Sequence, residues 1–218
     1  CTPDDFEPIF LEELRKDYAM VEDLNSQWKL VTEDPKIDEF IDKLDSEFLN
    51  KEINPQQKLV VFSESKETTN YITNYLKEKG RTDVLEVNAS NRDRLRETIK
   101  VNFDANIPRE QYQSEYSIII CTEVLAEGVN LHRSNVIVNY DTPWNSTRLM
   151  QRIGRVNRIG SVAPNIHIFN FYPTAKVNND IELEKKAIMK LQAFHSALGE
   201  DSEIFSPDEE IQSFGLFE

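Results

Sequence analysis

Four short apolar runs dominate the chain: KLVVFS at 58–63, YSIIIC at 116–121, NVIVNY at 135–140 and NIHIFNF at 165–171. Runs this short and this apolar suit parallel strands buried on both faces. Residues 83–87 add a fifth strand. Between the runs, apolar residues return every three or four positions. Tyr71, Ile72, Tyr75 and Leu76 mark a helix over 68–79 that Gly80 closes, and further helices are expected over 92–103 and 146–156. The polar stretch around Pro108 reads as a surface loop. Such repeated alternation implies an α/β class: an open parallel sheet with helices on both faces.

The flanks differ from this centre. Residues 12–49 are acidic and helix-rich. Within them Ile37, Phe40, Ile41, Leu44 and Phe48 mark an amphipathic helix, started by Asp34 as cap and Pro35 in the first turn. Asn54-Pro55-Gln56-Gln57 reads as a loop. After Pro173 a helix is expected over 180–198, stopped by Gly199, and Ser206-Pro207-Asp208-Glu209 has the pattern of another helix start. The expected organisation is a helical acidic extension over 1–57, an α/β domain over 58–175 and an acidic helical extension over 176–218. A chain of 218 residues has room for one such domain with a full core. Its opening, Cys-Thr-Pro-Asp-Asp-Phe, reads as mid-chain sequence, so more protein is expected upstream.

Net charge is −14, which argues against coating nucleic acid through a general positive field. The acid is concentrated at the ends. Residues 1–57 hold sixteen acidic and six basic side chains, whereas residues 58–175 hold thirteen and fifteen. Residues 148–158 contain four arginines and no acid, enough for a local basic strip. No window approaches an apolar membrane span, and no secretory pattern opens the chain. Cys1 and Cys121 form neither a metal cluster nor a disulfide framework, so a reducing, cytoplasmic setting is expected. His132, His167 and His195 are scattered, and no metal site is expected. Cys121 ends an apolar strand and reads as a small buried residue rather than a nucleophile.

Three stretches have the composition of a site. On a helix, LMQRIGRVNRIG at 149–160 places Leu149, Ile153 and Val156 on one face and Arg148, Arg152 and Arg155 on the adjoining one. An amphipathic helix with a solvated basic face has the same spacing. Gly154 within it costs about 1 kcal/mol against alanine, a loss that close approach of another backbone or a ligand would explain. TEVLAEGVNL at 122–131 follows the third strand, where open parallel sheets bind ligands, although an ordinary strand-to-helix turn also fits. Ser63-Glu64-Ser65-Lys66 follows the first strand and could hold a phosphate at the next helix start, or simply cap it.

In order, VVFSES, then SIIICTEVLAEGVNLHRSNVIVNYDTPWN, then QRIGRVNRIG resemble motifs IV, V and VI of the second RecA-like domain of superfamily 2 helicases. The pairs Tyr140-Asp141 and Trp144-Asn145, with Gln151 where DEAD-box proteins have histidine, resemble the Swi/Snf-like branch. The likeness runs over about 58–171. It implies a RecA-like open parallel sheet flanked by helices, with helical N- and C-terminal extensions. Arg155 and Arg158 match arginine fingers that act on ATP held by a partner domain. Gln151 matches a residue that couples the domains. With Arg152, Gly128 and Asn130 it falls at positions near the nucleotide. Ser63 and Thr122, with Ser65 and Lys66, match the nucleic-acid side. Arg96 matches an arginine of structural role. Asn88-Ala89-Ser90-Asn91 departs from the glycine-containing turn of many relatives, so no strand contact is assigned there.

The resemblance further implies ATP with Mg2+, bound mainly by a first motor domain that the sequence does not contain. No G-x-x-x-x-G-K-[ST] phosphate loop occurs, and Asp208-Glu209-Glu210 reads as a helix cap rather than a magnesium motif. The chain alone is therefore expected not to hydrolyse ATP. Its expected partners are nucleic acid, in duplex DNA form, and the N-terminal RecA-like domain of the same polypeptide, with no membrane. A protein-docking module is the alternative, and a free-standing small-molecule phosphotransferase ranks behind both.

Overall fold

The computed structural model describes residues 8–123, 129–143 and 145–172. Two units are distinguished, Cys1–Pro35 and Lys36–Glu218. In the first, helix α1 spans Pro8–Trp28.

The second unit is built on five parallel strands: β1 (Leu59–Phe62), β2 (Val84–Val87), β3 (Ile118–Cys121), β4 (Val136–Asn139) and β5 (His167–Asn170). They lie in the order β2-β3-β1-β4-β5. Helices α2 (Pro35–Lys43), α3 (Lys66–Glu78), α4 (Arg92–Phe103) and α5 (Ser146–Val156) complete it. Strand alternation sorts the core into two layers. Leu59, Val61, Ile118, Ile120, Val136 and Val138 pack with Ile72 and Leu76 of α3 and with Ile37 and Phe40 of α2. Val60, Phe62, Ile119, Cys121 and Ile137 pack with Ile99 and Phe103 of α4 and with Leu149, Ile153 and Val156 of α5. Each such side chain contributes about 1.5–3 kcal/mol on burial, so both helical layers are held firmly.

The expected boundary at residue 58 moves to Lys36. Phe40 is wholly buried and meets the rings of Phe48, Tyr140 and Phe171, so the segment before β1 is part of the core rather than an extension. After α2 the helix widens into a π turn over Leu44–Phe48, with the Leu49 N–H donating to the Leu44 carbonyl at 2.9 Å. Asn54 then ties the expected loop together: its amide donates to the carbonyls of Phe48 and Lys58 and accepts from the Lys58 N–H. Gly80, at φ +88°, ends α3 in the left-handed conformation expected of it. The helices expected over 180–198 and at Ser206 lie outside the described residues, as do Gly128 and Trp144.

This topology places a crevice. Strands β1 and β4 are neighbours, yet α3 leaves β1 toward one face while α5 leaves β4 toward the other. Loops diverging from adjacent parallel strands open a cleft at their carboxyl ends, where ligands bind in open α/β sheets.

Candidate functional site

Two polar nodes cross that crevice, one half-buried and one buried. Asp141, just beyond β4, accepts from the Ser63 hydroxyl, from the Glu64 N–H at 3.3 Å and from Lys36 Nζ at 2.8 Å. Burial alone would raise its pKa. The Lys36 charge, with the hydrogen bonds from Lys36, Ser63 and Glu64, outweighs burial and holds the carboxyl below its ordinary value. Lys36 also lies 4.1 Å from the centre of the Tyr140 ring. The chain entering the domain at α2 is thereby fixed to the ends of β1 and β4.

Arg152 forms the second node. Its side chain is 0% exposed. Nε donates to Glu123 at 2.8 Å and Nη2 to the same carboxylate; Nη1 donates to Asn139 Oδ1 at 2.8 Å and to the Asp141 carbonyl at 2.9 Å. The guanidinium lies over the Phe62 ring at 5.2 Å. Asn139 in turn donates to Asn170 at 2.8 Å. The carboxyl ends of β3, β4 and β5 are thus joined through one arginine.

These contacts redistribute the expected site residues. Arg152, expected near the nucleotide, spends four of its five N–H donors inside the domain. It sits at the edge of α5's apolar face, so the basic row Arg148-Arg152-Arg155 is split: Arg148 is exposed and 3.8 Å from Glu64, Arg152 is buried, and Arg155 is half-buried. Ser63, expected to touch a nucleic-acid backbone, is wholly buried with its hydroxyl committed to Asp141. Ser65 caps α3, accepting from the Thr68 N–H at 3.0 Å. Lys66 is exposed in the first turn of that helix, Thr122 is half-buried at the end of β3, and Gln151 is exposed on α5.

Arg158 and Asn130 do come together. Arg158 is exposed just past α5; its Nε donates to the Gly154 carbonyl at 3.0 Å and its Nη1 to Asn130 Oδ1. The segment carrying Asn130 is tied to α5 through the Leu131 N–H, which donates to the Arg155 carbonyl at 2.9 Å. A methyl group added at Gly154 would meet nothing within 4 Å, so no close approach within the described domain requires this glycine.

Cys121 is a free, buried thiol whose pKa burial pushes far up, an inert packing group. Among the described residues, no cluster of His, Cys, Asp and Glu could hold a metal, and no helix is long and apolar enough to cross a membrane. Sequence reasoning missed Lys36 and Asp104, weighed His132 only as a metal ligand, and used Asp141 only as part of a family signature. The signal for Asp141 was its place directly beyond an apolar strand; Lys36 and Asp104 lie far from the crevice in sequence and carry no local pattern.

An open parallel sheet with helices on both faces and an arginine-bearing helix at its carboxyl-end side fits the RecA-like architecture. The family model described as helicase conserved C-terminal domain matches residues 39–160, and the chain belongs to that family, the C-terminal RecA-like domain of superfamily 2 helicases. Among curated proteins, the uncharacterized ATP-dependent helicase YqhH of Bacillus subtilis (strain 168) is 29% identical over 149 residues, covering 68% of this chain and 24% of the relative. The ATP-dependent RNA helicase DBP2 of Candida glabrata is 30% identical over 142 residues, covering 65% and 24%. The chain thus spans about a quarter of the length of these relatives. The crystal structure of the C-terminal part of the Fun30 ATPase domain has the same fold, with a TM-score of 0.55 and 19% identity over 80% of this chain and 53% of that one.

Proposed function

We propose that this domain is the second half of an ATP-driven nucleic-acid motor of the Swi/Snf-like branch, acting in the cytoplasm on duplex DNA. Arg155 and Arg158 are its arginine fingers. ATP and Mg2+ are held mainly by a first RecA-like domain of the same polypeptide, with Gln151, Asn130 and Gly128 lining the nucleotide side from this one. Ser65, Lys66 and Thr122 face the nucleic-acid backbone. The observation that carries the reading is the presentation of Arg158: exposed at the end of α5, steadied by Asn130 and the Gly154 carbonyl.

The chemistry follows from charge. Phosphoryl transfer needs little covalent help, and an arginine delivered to the γ-phosphate by a neighbouring domain accelerates it by about 10³ to 10⁵. A domain without a phosphate loop contributes that arginine only on closure, so hydrolysis is gated by approach of the two halves. Nucleic acid bound across both halves favours closure and product release favours opening, which turns ATP turnover into stepping. Arg152 acts through position, keeping α5 in place on the sheet.

The test is steady-state ATP hydrolysis by the full-length protein with and without duplex DNA, beside the 218-residue chain alone. The reading expects DNA-stimulated turnover by the former and none by the latter. Turnover by the 218-residue chain, abolished by Arg155→Ala, would overturn it.

A further inference from the structure

Asp104 lies where the end of α4 meets the segment that carries Asn130. It is the C-cap residue of α4, where the helix dipole presents negative charge and favours cations. Its side chain is only 13% exposed, and the basic group nearest it is His132, whose Nδ1 lies 3.7 Å away. That histidine is itself fully buried with neither ring nitrogen hydrogen-bonded among the described residues, and burial lowers its pKa.

Both oxygens of its carboxylate are engaged. Oδ1 accepts the Asn106 N–H at 2.8 Å, which fixes the carboxylate on the turn after α4. Oδ2 accepts from Asn130 Nδ2 at 3.3 Å, and the other end of that amide, Oδ1, accepts from Arg158 Nη1. An amide bridging a group that only accepts and a group that only donates has a single workable orientation. Asp104 therefore sets which way Asn130 faces, and Asn130 presents an acceptor to the guanidinium. The backbone of Arg158 is constrained from the same side. Gly160, at φ +93°, follows it in a turn closed by the Ser161 N–H to the Arg158 carbonyl, and a methyl group at Gly160 would come within 3.1 Å of Asn106 Oδ1 and 3.8 Å of His132 Nε2.

We propose that Asp104 is a positioning residue for the Arg158 finger, acting through Asn130. The proposal rests on the finger reading above and extends it to a residue on a different helix, about fifty positions earlier in the chain. The Arg158 Nη2 amine has no hydrogen-bond partner among the described residues and is the end available to a phosphate, while the Nε and Nη1 edge is held by the domain. Holding one edge sets the direction of the other. Misplacement of a catalytic group by about 1 Å can cost on the order of 10²-fold in rate.

The experiment measures DNA-stimulated ATP hydrolysis by the full-length protein for Asp104→Leu, Asp104→Asn, Arg158→Ala and the double variant Asp104→Leu/Arg158→Ala, with nucleotide affinity and thermal midpoint followed separately. Asp104→Leu is expected to lower kcat by about 10- to 100-fold with KM for ATP changed less than about threefold. Asp104→Asn keeps one acceptor, able to serve Asn130 once the Asn106 N–H contact is given up, and is expected to lose less kcat than Asp104→Leu. The double variant should be no slower than Arg158→Ala alone, because the relay has nothing left to position. Losses that multiply in the double variant, or equal losses in Asp104→Asn and Asp104→Leu, would overturn the relay while leaving the finger reading intact. Near-wild-type turnover by Arg158→Ala would overturn both.

Discussion

Replacing Arg152 by methionine separates a structural arginine from the two proposed fingers beside it. The side chain is 0% exposed and joins Glu123, Asn139 and the Asp141 carbonyl. Methionine fills most of the volume but leaves the Glu123 carboxylate, itself 27% exposed, without its cation and two further acceptors without donors. Breaking one side of a buried ion pair costs about 3–5 kcal/mol, and partial access of water to Glu123 places the expectation near the lower figure. For a domain of this size, 3 kcal/mol lowers the thermal midpoint by about 10 °C and moves a urea midpoint by about 1.5 M. The assay is urea unfolding of the 218-residue chain followed by circular dichroism, with Arg155→Ala and Arg158→Ala in parallel. Arg158→Ala, at an exposed position, should shift the midpoint by less than about 0.5 M. A shift that small in Arg152→Met, with ATP turnover of the full-length protein abolished, would refute the assignment of Arg152 to the scaffold and return it to the nucleotide.

Three further outcomes follow from the geometry. Phe40→Ala removes a fully buried ring packed against Phe48, Tyr140 and Phe171 and should cost about 3–5 kcal/mol by urea unfolding, whereas an expendable extension before β1 would tolerate it. The folded-state pKa of Asp141 lies below its unfolded value, so its contribution is present above the ordinary carboxylate range and is lost as pH falls through the folded value; Asp141→Asn should destabilise the chain at pH 7, and the gap to wild type should close below about pH 4 in a pH series of urea midpoints. Lys36→Met should reproduce part of the Asp141→Asn loss at pH 7 and add little to it in the double variant, since both break the same contact.

The fold was legible because its signals are local. Runs such as VVF at 60–62 and III at 118–120 are readable as strands buried on both faces without any partner in view, and Gly80 marks the end of α3 through its own backbone freedom. The domain boundary was less so. Ile37, Phe40, Leu44 and Phe48 advertise an apolar helix face, but their spacing does not say whether that face lies on this sheet or on another protein. The site divided in the same way. Motif spacing brought out α5 and its arginines, yet helical periodicity placed Arg148, Arg152 and Arg155 on a common face, and tertiary pairing with Glu123 and Asn139 drew Arg152 alone into the interior. The sequence around Ser63 suits a phosphate contact after a strand, and nothing near it announces Asp141, 78 residues on, which takes its hydroxyl. The relay from Asp104 through Asn130 to Arg158 depends entirely on three separate segments meeting, and no single stretch of sequence carries it.

The most direct measurement is single-turnover hydrolysis of ATP by the full-length protein saturated with duplex DNA, comparing wild type with Arg155→Ala and Arg158→Ala while nucleotide binding is followed by fluorescence of a labelled analogue. A fall of about 10³-fold or more in the hydrolytic step, with nucleotide affinity held within a few-fold, is the result expected of arginine fingers delivered by this domain. Hydrolysis within a few-fold of wild type in both variants would contradict that role and leave the arginines of α5 and its end as a basic surface without a part in the chemistry.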